Sequence, residues 1–204
     1  SKTNTISWKI IDSLFKQNET FLVDHHLDSY NKFYENGLFK IINENNPIQI
    51  TKNYNNKRDE FDYICNFYIG GLQGNKIYYG KPIIYDEKNQ HYMYPNEARL
   101  RNMTYGITIH YDCEIEIKIY DNATREFKIE KTVLEKILLG NFPIMINSKQ
   151  CIYHSLNRDL KFYMGECRND NGGYFIIDGK EKTIIPQEKF ADNLLYIKKN
   201  DKDD

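Results

Sequence analysis

Two stretches near the N terminus carry apolar residues at the 3.6-residue period of amphipathic helices. The first apolar face consists of Trp8, Ile11, Leu14 and Phe15. Ser7 precedes this face, and its hydroxyl group is suited to capping the helix. The second stretch runs from about residue 23 to residue 43, and its apolar face consists of Leu27, Tyr30, Phe33, Tyr34, Leu38 and Ile41. Residues 6–43 are therefore predicted to form two helices.

The apolar period shortens to two residues farther along the chain, as in half-buried β-strands. Residues 44–60 are Asn-rich and polar, and they are predicted to form a flexible loop. Strands are predicted over residues 61–69, 76–84, 107–119, 124–135 and 174–185. The predicted connections are a polar loop at residues 86–90, a short helix that begins at Pro95, and a turn at residues 121–123.

The clearest local signal lies near the C terminus, where Asp178 and Gly179 separate two β-rich runs. An Asp-Gly pair between such runs is typical of a type I′ hairpin, because both turn residues must adopt positive φ. Helices that precede mainly antiparallel strands predict an α+β fold. No linker divides the chain, so we predict one domain over residues 1–204, helical at 6–43 and mainly β at 61–199.

Composition narrows the class of function. The formal net charge is −1, whereas a stand-alone protein that binds duplex DNA usually carries a clear basic excess. The four cysteines are widely spaced, which excludes the usual zinc-ligand spacing and indicates free thiols in a reducing compartment. No apolar run approaches the ~20 residues of a membrane span, so we expect an intracellular protein without a membrane partner. Ser1 and the charged run at 198–204, which is expected to fray, resemble cuts in a longer chain.

Asp24, His25 and His26 form a candidate metal site, because these residue types bind divalent metals. Asp-His-His also names one superfamily of phosphoesterases. That superfamily needs further aspartates at the ends of parallel strands, and the sequence shows no βαβ pattern to supply them. Neighbouring helical residues point about 100° apart. The favoured interpretation is structural, with acidic residues placed at a helix N-terminus.

Two basic segments are candidates for contact with nucleic acid, because basic and amide side chains beside a rigid hairpin or helix suit contacts to the phosphate backbone. The candidate residues are Lys180, Lys182, Gln187, Arg99 and Arg101. Each segment also has a structural interpretation. Glu97 is close enough in sequence to form an ion pair with either arginine, and lysines on exposed strands protect sheet edges from aggregation.

Four segments of the chain carry distinctive residues in a fixed order. Residues 95–105 are PNEARLRNMTY, which matches P-x-E-A-R-L-R-N-x-T-Y. Residues 166–182 match E-C-x-x-D-x-G-G-Y-F-I-I-N-G-x-E-K, with Asp178 in place of Asn, and residues 27–33 and 142–151 add shorter matches. In this order the segments resemble the second-largest subunits of multisubunit RNA polymerases of the eukaryotic, archaeal and large-DNA-virus type.

The resemblance implies the N-terminal part of the protrusion domain of such a subunit. This domain forms part of the cleft wall over the upstream DNA and the RNA–DNA hybrid during template-directed RNA synthesis. The assembled enzyme is a nucleotidyltransferase whose Mg²⁺ lies on the largest subunit, so this segment is expected to hold no catalytic residue and no cofactor. The implied partners are the largest and other polymerase subunits, template DNA, the hybrid and initiation factors. The implied location is the nucleus, or the host cytoplasm or virion for a large DNA virus.

Site residues follow from one stretch of the resemblance. Residues 181–187 are similar to the bacterial E-R-V-I-V-S-Q, which lines the path of the hybrid. Lys182 stands at the bacterial Arg, and Gln187 keeps the Gln. Pro186 replaces a small residue, removes a backbone donor and can shift the direction in which Gln187 points.

Two other functions remain as alternatives to a polymerase segment. One is a stand-alone module that binds protein or nucleic acid and shares only the fold. The other is a metal phosphoesterase built on Asp24, His25 and His26. The sequence downstream of Asp204 discriminates the first alternative, and a titration with divalent metal discriminates the second.

Overall fold

The structure, a computed structural model, describes residues 2–18, 20–86 and 89–197, with side chains from residue 5 onward. The charged run at 198–204 lies outside these residues. Helix α1 (Lys2–Gln17) begins well before Ser7. The prediction that Ser7 caps this helix is therefore wrong, because residues on its N-terminal side continue the helix. The apolar side chains of α1, including Trp8, are exposed.

The second helical stretch contains a π-helical turn that shifts its buried face. Helix α2 (Asp24–Lys32) continues through the π turn Phe33–Gly37 into α3 (Leu38–Asn45). A π turn is wider than an α turn, so the residues after it are rotated relative to a regular helix. Ile42 is buried as a result, whereas the predicted core residue Ile41 is 49% exposed.

The predicted loop at residues 44–60 is largely a strand. Strand β1 (Ile48–Asn55) pairs antiparallel with β2 (Glu60–Ile69), from Ile48 opposite Phe67 to Asn55 opposite Glu60. Backbone pairing with β2 stabilises β1 despite its polar sequence, because an edge strand needs few buried side chains. The loop prediction was wrong, and only the tight turn between these two strands remains of it.

The strand predicted over residues 76–84 is divided in two. Strand β3 (Ile77–Tyr79) joins the main sheet, and β4 (Ile83–Asp86) forms a separate pair with β5 (Asn89–Tyr92). Gly80 lies between them, where its N–H donates to the Thr108 carbonyl over 2.7 Å. The predicted loop at residues 86–90 is wrong for Asp86, Asn89 and Gln90, which are paired strand residues of β4 and β5, and residues 87–88 lie outside the described part.

A long antiparallel ribbon dominates the main sheet. Strand β6 (Gly106–Asp121) pairs with β7 (Glu126–Pro143) across the predicted turn, and the pairing reaches from Gly106 opposite Pro143 to Asp121 opposite Glu126. Strand β2 pairs with β1 and with the second half of β6, and β3 pairs with residues 109–111 of β6. Strand β7 pairs with β6 along its opposite edge. The alternating isoleucines therefore predicted both the strand and its return, although β7 extends beyond the predicted end at residue 135.

Shorter elements complete the α+β fold. They are α4 (Pro95–Leu100), α5 (Arg158–Tyr163), β8 (Phe175–Ile177) and β9 (Lys180–Lys182). Strand β9 ends at Lys182, although the sequence predicts a strand as far as residue 185. The core between the helices, the ribbon and β8 contains Tyr34, Leu38, Ile42, Ala98, Tyr105, Ile107, Ile109, Ile144, Ile146, Tyr153 and Ile176. Among the described residues, no helix combines the length and the apolar character that crossing a membrane requires.

Candidate nucleic-acid interface

The hairpin formed by β8 and β9 carries the lysines predicted to contact nucleic acid. Ile177 pairs with Lys180, and the two strands continue antiparallel to Phe175 opposite Lys182. The connecting residues Asp178 and Gly179 have φ of 51° and 74°. Both values are positive, as an Asp-Gly turn of this kind requires.

The turn of this hairpin is docked on the residues that follow α4. The backbone N–H of Gly179 donates to the Met103 carbonyl over 3.0 Å, and the N–H of Asp178 donates to the Thr104 hydroxyl over 3.1 Å. A Cβ atom on Gly179 would lie 2.8 Å from Asn102 Cα. Glycine is therefore required at this position for both its backbone conformation and the close approach of the two chains.

The side chain of Arg99 connects α4 with Glu166 and with the hairpin region that contains Tyr174 and Glu181. Its Nη1 donates to Glu166 Oε1 over 2.7 Å, and its Nε donates to Glu181 Oε1 over 2.8 Å. Its Nη2 donates to the Tyr174 hydroxyl over 2.6 Å. The Glu166 side chain is 5% exposed and the Arg99 side chain 18% exposed, so the charges of this pair are largely removed from water. A buried ion pair is maintained only when its hydrogen bonds are satisfied, as they are here.

Tyr174 extends this network toward the glycine-rich loop. Its hydroxyl donates to the Asp170 carboxylate, and the Gly172 N–H donates to the same carboxylate over 2.7 Å. Burial and the Asp170 hydrogen bond raise the pKa of Tyr174, so the phenol stays protonated and keeps donating at neutral pH. The segment 166–182 is thus folded around one guanidinium group.

Arg101 follows the last residue of α4 and binds two other carboxylates. It donates to Glu97 over 2.9 Å and to Asp86 over 2.8 Å. The hydrogen bond from Arg101 lowers the pKa of Asp86. Glu97 is also 3.0 Å from His91. The guanidinium groups of Arg99 and Arg101 are therefore both engaged by carboxylates of the chain itself.

Lys180, Lys182 and Gln187 are exposed. Neither lysine side chain has a hydrogen-bond or ion-pair partner within the part of the chain that the structure describes. Gln187 follows Pro186 in a segment without helix or strand, so the structure does not bring it into the hairpin. Of the five candidate residues, only Lys180 and Lys182 lie on the same strand, β9.

Sequence reasoning missed that the candidate metal residues lie beside this hairpin. His26 and Lys182 line the same groove of about 330 Å³, together with Val23, Gly173 and Thr183. The side chain of Asn18 donates to Asp24 at the start of α2, and the His25 and His26 rings lie 4.0 Å apart. Within the described residues, no group of three or more His, Cys, Asp or Glu side chains could hold a metal ion.

The partners of Arg99 were also missed. Glu166 and Glu181 lie 67 and 82 residues after Arg99 in the chain. No periodicity joins residues at such separations. The one sequence signal for this contact is that Arg99 lies in one of the two longest matching segments, and Glu166 and Glu181 lie in the other.

Comparison with known proteins supplies the family context of this geometry. Residues 21–198 match a family model described as RNA polymerase beta subunit. The chain is 35% identical over 202 residues to DNA-directed RNA polymerase II subunit RPB2 of Eremothecium gossypii, which covers 94% of this chain and 16% of that protein. It is 32% identical over 198 residues to DNA-directed RNA polymerase II subunit 2 of Arabidopsis thaliana, with 96% of this chain and 16% of the relative covered.

An archaeal relative shows the same similarity. The chain is 31% identical over 199 residues to DNA-directed RNA polymerase subunit Rpo2N of Methanothermobacter thermautotrophicus, covering 97% of this chain and 34% of the relative. The chain therefore spans between about a sixth and a third of the length of these relatives.

Proposed function

The chain belongs to the RNA polymerase beta subunit family as the N-terminal part of a second-largest subunit, and we propose that it forms part of the cleft wall over the upstream DNA and the RNA–DNA hybrid. In this role it guides nucleic acid during template-directed RNA synthesis and carries no complete active site. The observation that supports the proposal is the pair of lysines without side-chain partners, Lys180 and Lys182, on a hairpin whose turn is docked on Met103 and Thr104 and whose Glu181 binds Arg99.

The chemistry of a cleft wall fits these residues. A polymerase holds hybrids of any sequence, so it needs contacts to phosphate and sugar more than readout of base edges. Lys180 and Lys182 neutralise phosphate charge, and the Gln187 amide donates to phosphate or sugar oxygens. Arg99 binds Glu181 of β9 and thereby supports the hairpin, whereas Arg101 binds Glu97 and Asp86.

We further propose that the assembled enzyme is a DNA-directed RNA polymerase, a nucleotidyltransferase. Its Mg²⁺ is held by the largest subunit, and we assign no catalytic residue to the present chain. The partners are the largest and other polymerase subunits, template DNA, the hybrid and initiation factors. The eukaryotic relatives are subunits of RNA polymerase II, which favours a nuclear enzyme if the source is eukaryotic.

The enzymatic part is tested by purifying the native assembly that contains this chain. We expect a large subunit with an acidic Mg²⁺-binding motif and RNA synthesis that requires both template and nucleotides. A small, solitary protein without RNA synthesis would instead favour the stand-alone binding module. Cleavage of phosphodiesters that requires added divalent metal would favour the phosphoesterase.

The contact itself is tested by Lys182→Ala in the assembled polymerase. We expect halted elongation complexes to dissociate faster on templates of any sequence, because one phosphate contact is lost. The slope of log stability against log salt should become shallower by about one. The control is Lys57→Ala, which removes another exposed lysine in the turn between β1 and β2. Equal lifetimes for Lys182→Ala and the wild type across the salt series would contradict the contact.

A further inference from the structure

The pleat of β9 places its charged residues on opposite faces. Ile176 is fully buried, and Glu181 is its cross-strand partner. Directly opposed residues of an antiparallel pair point to the same face, so Glu181 lies on the face of Ile176, where its carboxylate meets Arg99 while its side chain stays 56% exposed. Lys180 and Lys182 precede and follow Glu181, so they share the face of their cross-strand partners Ile177 and Phe175, and Lys182 also borders the groove that contains His26.

We propose that the ion pair between Arg99 and Glu181 fixes the register of β9 and thereby positions Lys180 and Lys182 toward nucleic acid. Arg99 and Glu181 are positioning residues in this scheme, which rests on the proposed function of the lysines. Because side chains alternate along a strand, a slip of one residue would exchange the face of both lysines with the face of Glu181.

The short length of β9 gives a side-chain restraint a role in addition to that of the docked turn. The strand has three residues, and the chain beyond Lys182 forms neither helix nor strand in the described residues. The Asp178-Gly179 turn sets the register at the closed end of the hairpin, and three paired residues add little stability toward its open end. Arg99 is a rigid anchor, since Glu166 and Tyr174 hold two of its nitrogens, and a guanidinium presents its donors in a fixed plane.

Because Glu181 is negatively charged, its positioning role can be distinguished from a purely electrostatic effect on the binding of phosphate. A carboxylate between two lysines weakens their attraction for phosphate. If β9 only supplied positive charge, removal of Glu181 would make the surface more positive and lengthen the lifetime of the complex. If Glu181 positions the lysines, its removal shortens that lifetime. The two mechanisms therefore predict opposite changes.

The test uses halted elongation complexes of the assembled polymerase. Glu181→Ala is compared with the wild type, with a variant in which Lys180 and Lys182 are both replaced by Ala, and with the combined variant. Glu188→Ala is the matched control, because it removes a nearby exposed carboxylate that has no contact with Arg99. All lifetimes are measured across one salt series.

We expect Glu181→Ala to shorten the lifetime severalfold, and Glu188→Ala to leave it unchanged or lengthen it. The effect of Glu181→Ala should disappear when both lysines are already absent, since residues that act through each other are not additive. A longer lifetime for Glu181→Ala, or an effect that persists without the lysines, would overturn the positioning role while the lysine contact stands. If loss of the two lysines has no effect, the proposed contact fails, and the positioning role fails with it.

Discussion

The ribbon of β6 and β7 and the junction of α4 with β8 and β9 are held together by different interactions. The ribbon strands are 16 and 18 residues long, and backbone pairing continues along nearly all of them. Strands β8 and β9 have three residues each, and their position depends on Arg99, Gly179 and the backbone contacts at Met103. Many equivalent hydrogen bonds stabilise the ribbon, whereas a few specific contacts stabilise the junction.

This difference has a consequence for where the chain tolerates change. A ladder of backbone hydrogen bonds is nearly independent of side-chain identity on its exposed faces, so substitutions there have small effects. No other side chain can replace the guanidinium group of Arg99, which binds two carboxylates at once. The two longest segments of family resemblance, 95–105 and 166–182, meet at this junction. The residues typical of the family therefore build the support of the lysine-bearing hairpin.

Replacement of Arg99 by Ala tests the junction most severely. The change leaves the buried Glu166 carboxylate without its counter-ion, and loss of one partner of a buried ion pair costs about 3–5 kcal/mol. We expect the free energy of unfolding, measured by urea denaturation, to fall by this amount. The control is Arg125→Ala in the exposed turn of the ribbon, which should change stability by less than about 0.5 kcal/mol. Equal losses for the two variants would contradict the comparison.

Two Gly→Ala substitutions are expected to affect the stability of the fold differently: one lowers it, and the other leaves it unchanged or raises it. Gly179→Ala forces a Cβ to 2.8 Å from Asn102 Cα at φ +74°, and the left-handed conformation alone costs about 1–2 kcal/mol. Gly37→Ala in the π turn has helical φ of −64°, and its Cβ would lie 3.3 Å from the Phe33 ring and 3.6 Å from the Lys32 carbonyl oxygen. There we expect a neutral change or a gain of up to about 1 kcal/mol. Thermal unfolding of both variants measures the difference, and destabilisation of similar size in both would count against the docked turn.

The smallest expected effect concerns a side chain that supports the ribbon. Asp112 lies at the irregularity of β6, accepts from the Lys136 N–H over 2.8 Å and accepts from the Tyr78 hydroxyl over 2.9 Å. The Lys136 hydrogen bond, together with that of Tyr78, lowers the pKa of Asp112 below 3.8. A carboxyl group with a lowered folded pKa stabilises the fold above its unfolded pKa and loses this contribution as the pH falls through the folded value.

Asp112→Asn should therefore reduce stability at neutral pH, and the difference from the wild type should shrink as the pH falls below about 4. Urea denaturation at a series of pH values measures this difference. A gap between the two proteins that stays constant down to pH 2 would show that the charge of Asp112 does not contribute.

Local patterns predicted the ribbon well, and they failed where distant contacts decide the structure. The alternation of Ile115, Ile117 and Ile119 is local, so it indicated β6 without knowledge of the fold. Strand β1 was missed because its polar sequence resembles a loop, and pairing with β2 makes it a strand. Ile41 was placed in the core because a regular helix was assumed, and the π turn rotates Ile42 there instead.

The candidate site was predictable in its residues and unpredictable in its geometry. Lys180, Lys182 and the turn between the strands follow from the Asp-Gly pattern and from the resemblance. The position of Arg99 could not follow from either, because Glu97 is its near neighbour in sequence, whereas its observed partners are Glu166 and Glu181. Which carboxylate an arginine binds depends on tertiary packing, which no local period encodes.

The most direct test of the central claim is site-specific crosslinking in a transcribing assembly. A photoreactive amino acid is placed at position 182 on the docked hairpin and, in a second preparation, at position 128 on the ribbon, where Lys128 is exposed and paired with Glu130. We predict crosslinks from position 182 to the RNA or the template strand near the hybrid, and none from position 128. Crosslinks from position 128 without any from position 182 would contradict the assignment of the hairpin as the nucleic-acid-facing surface.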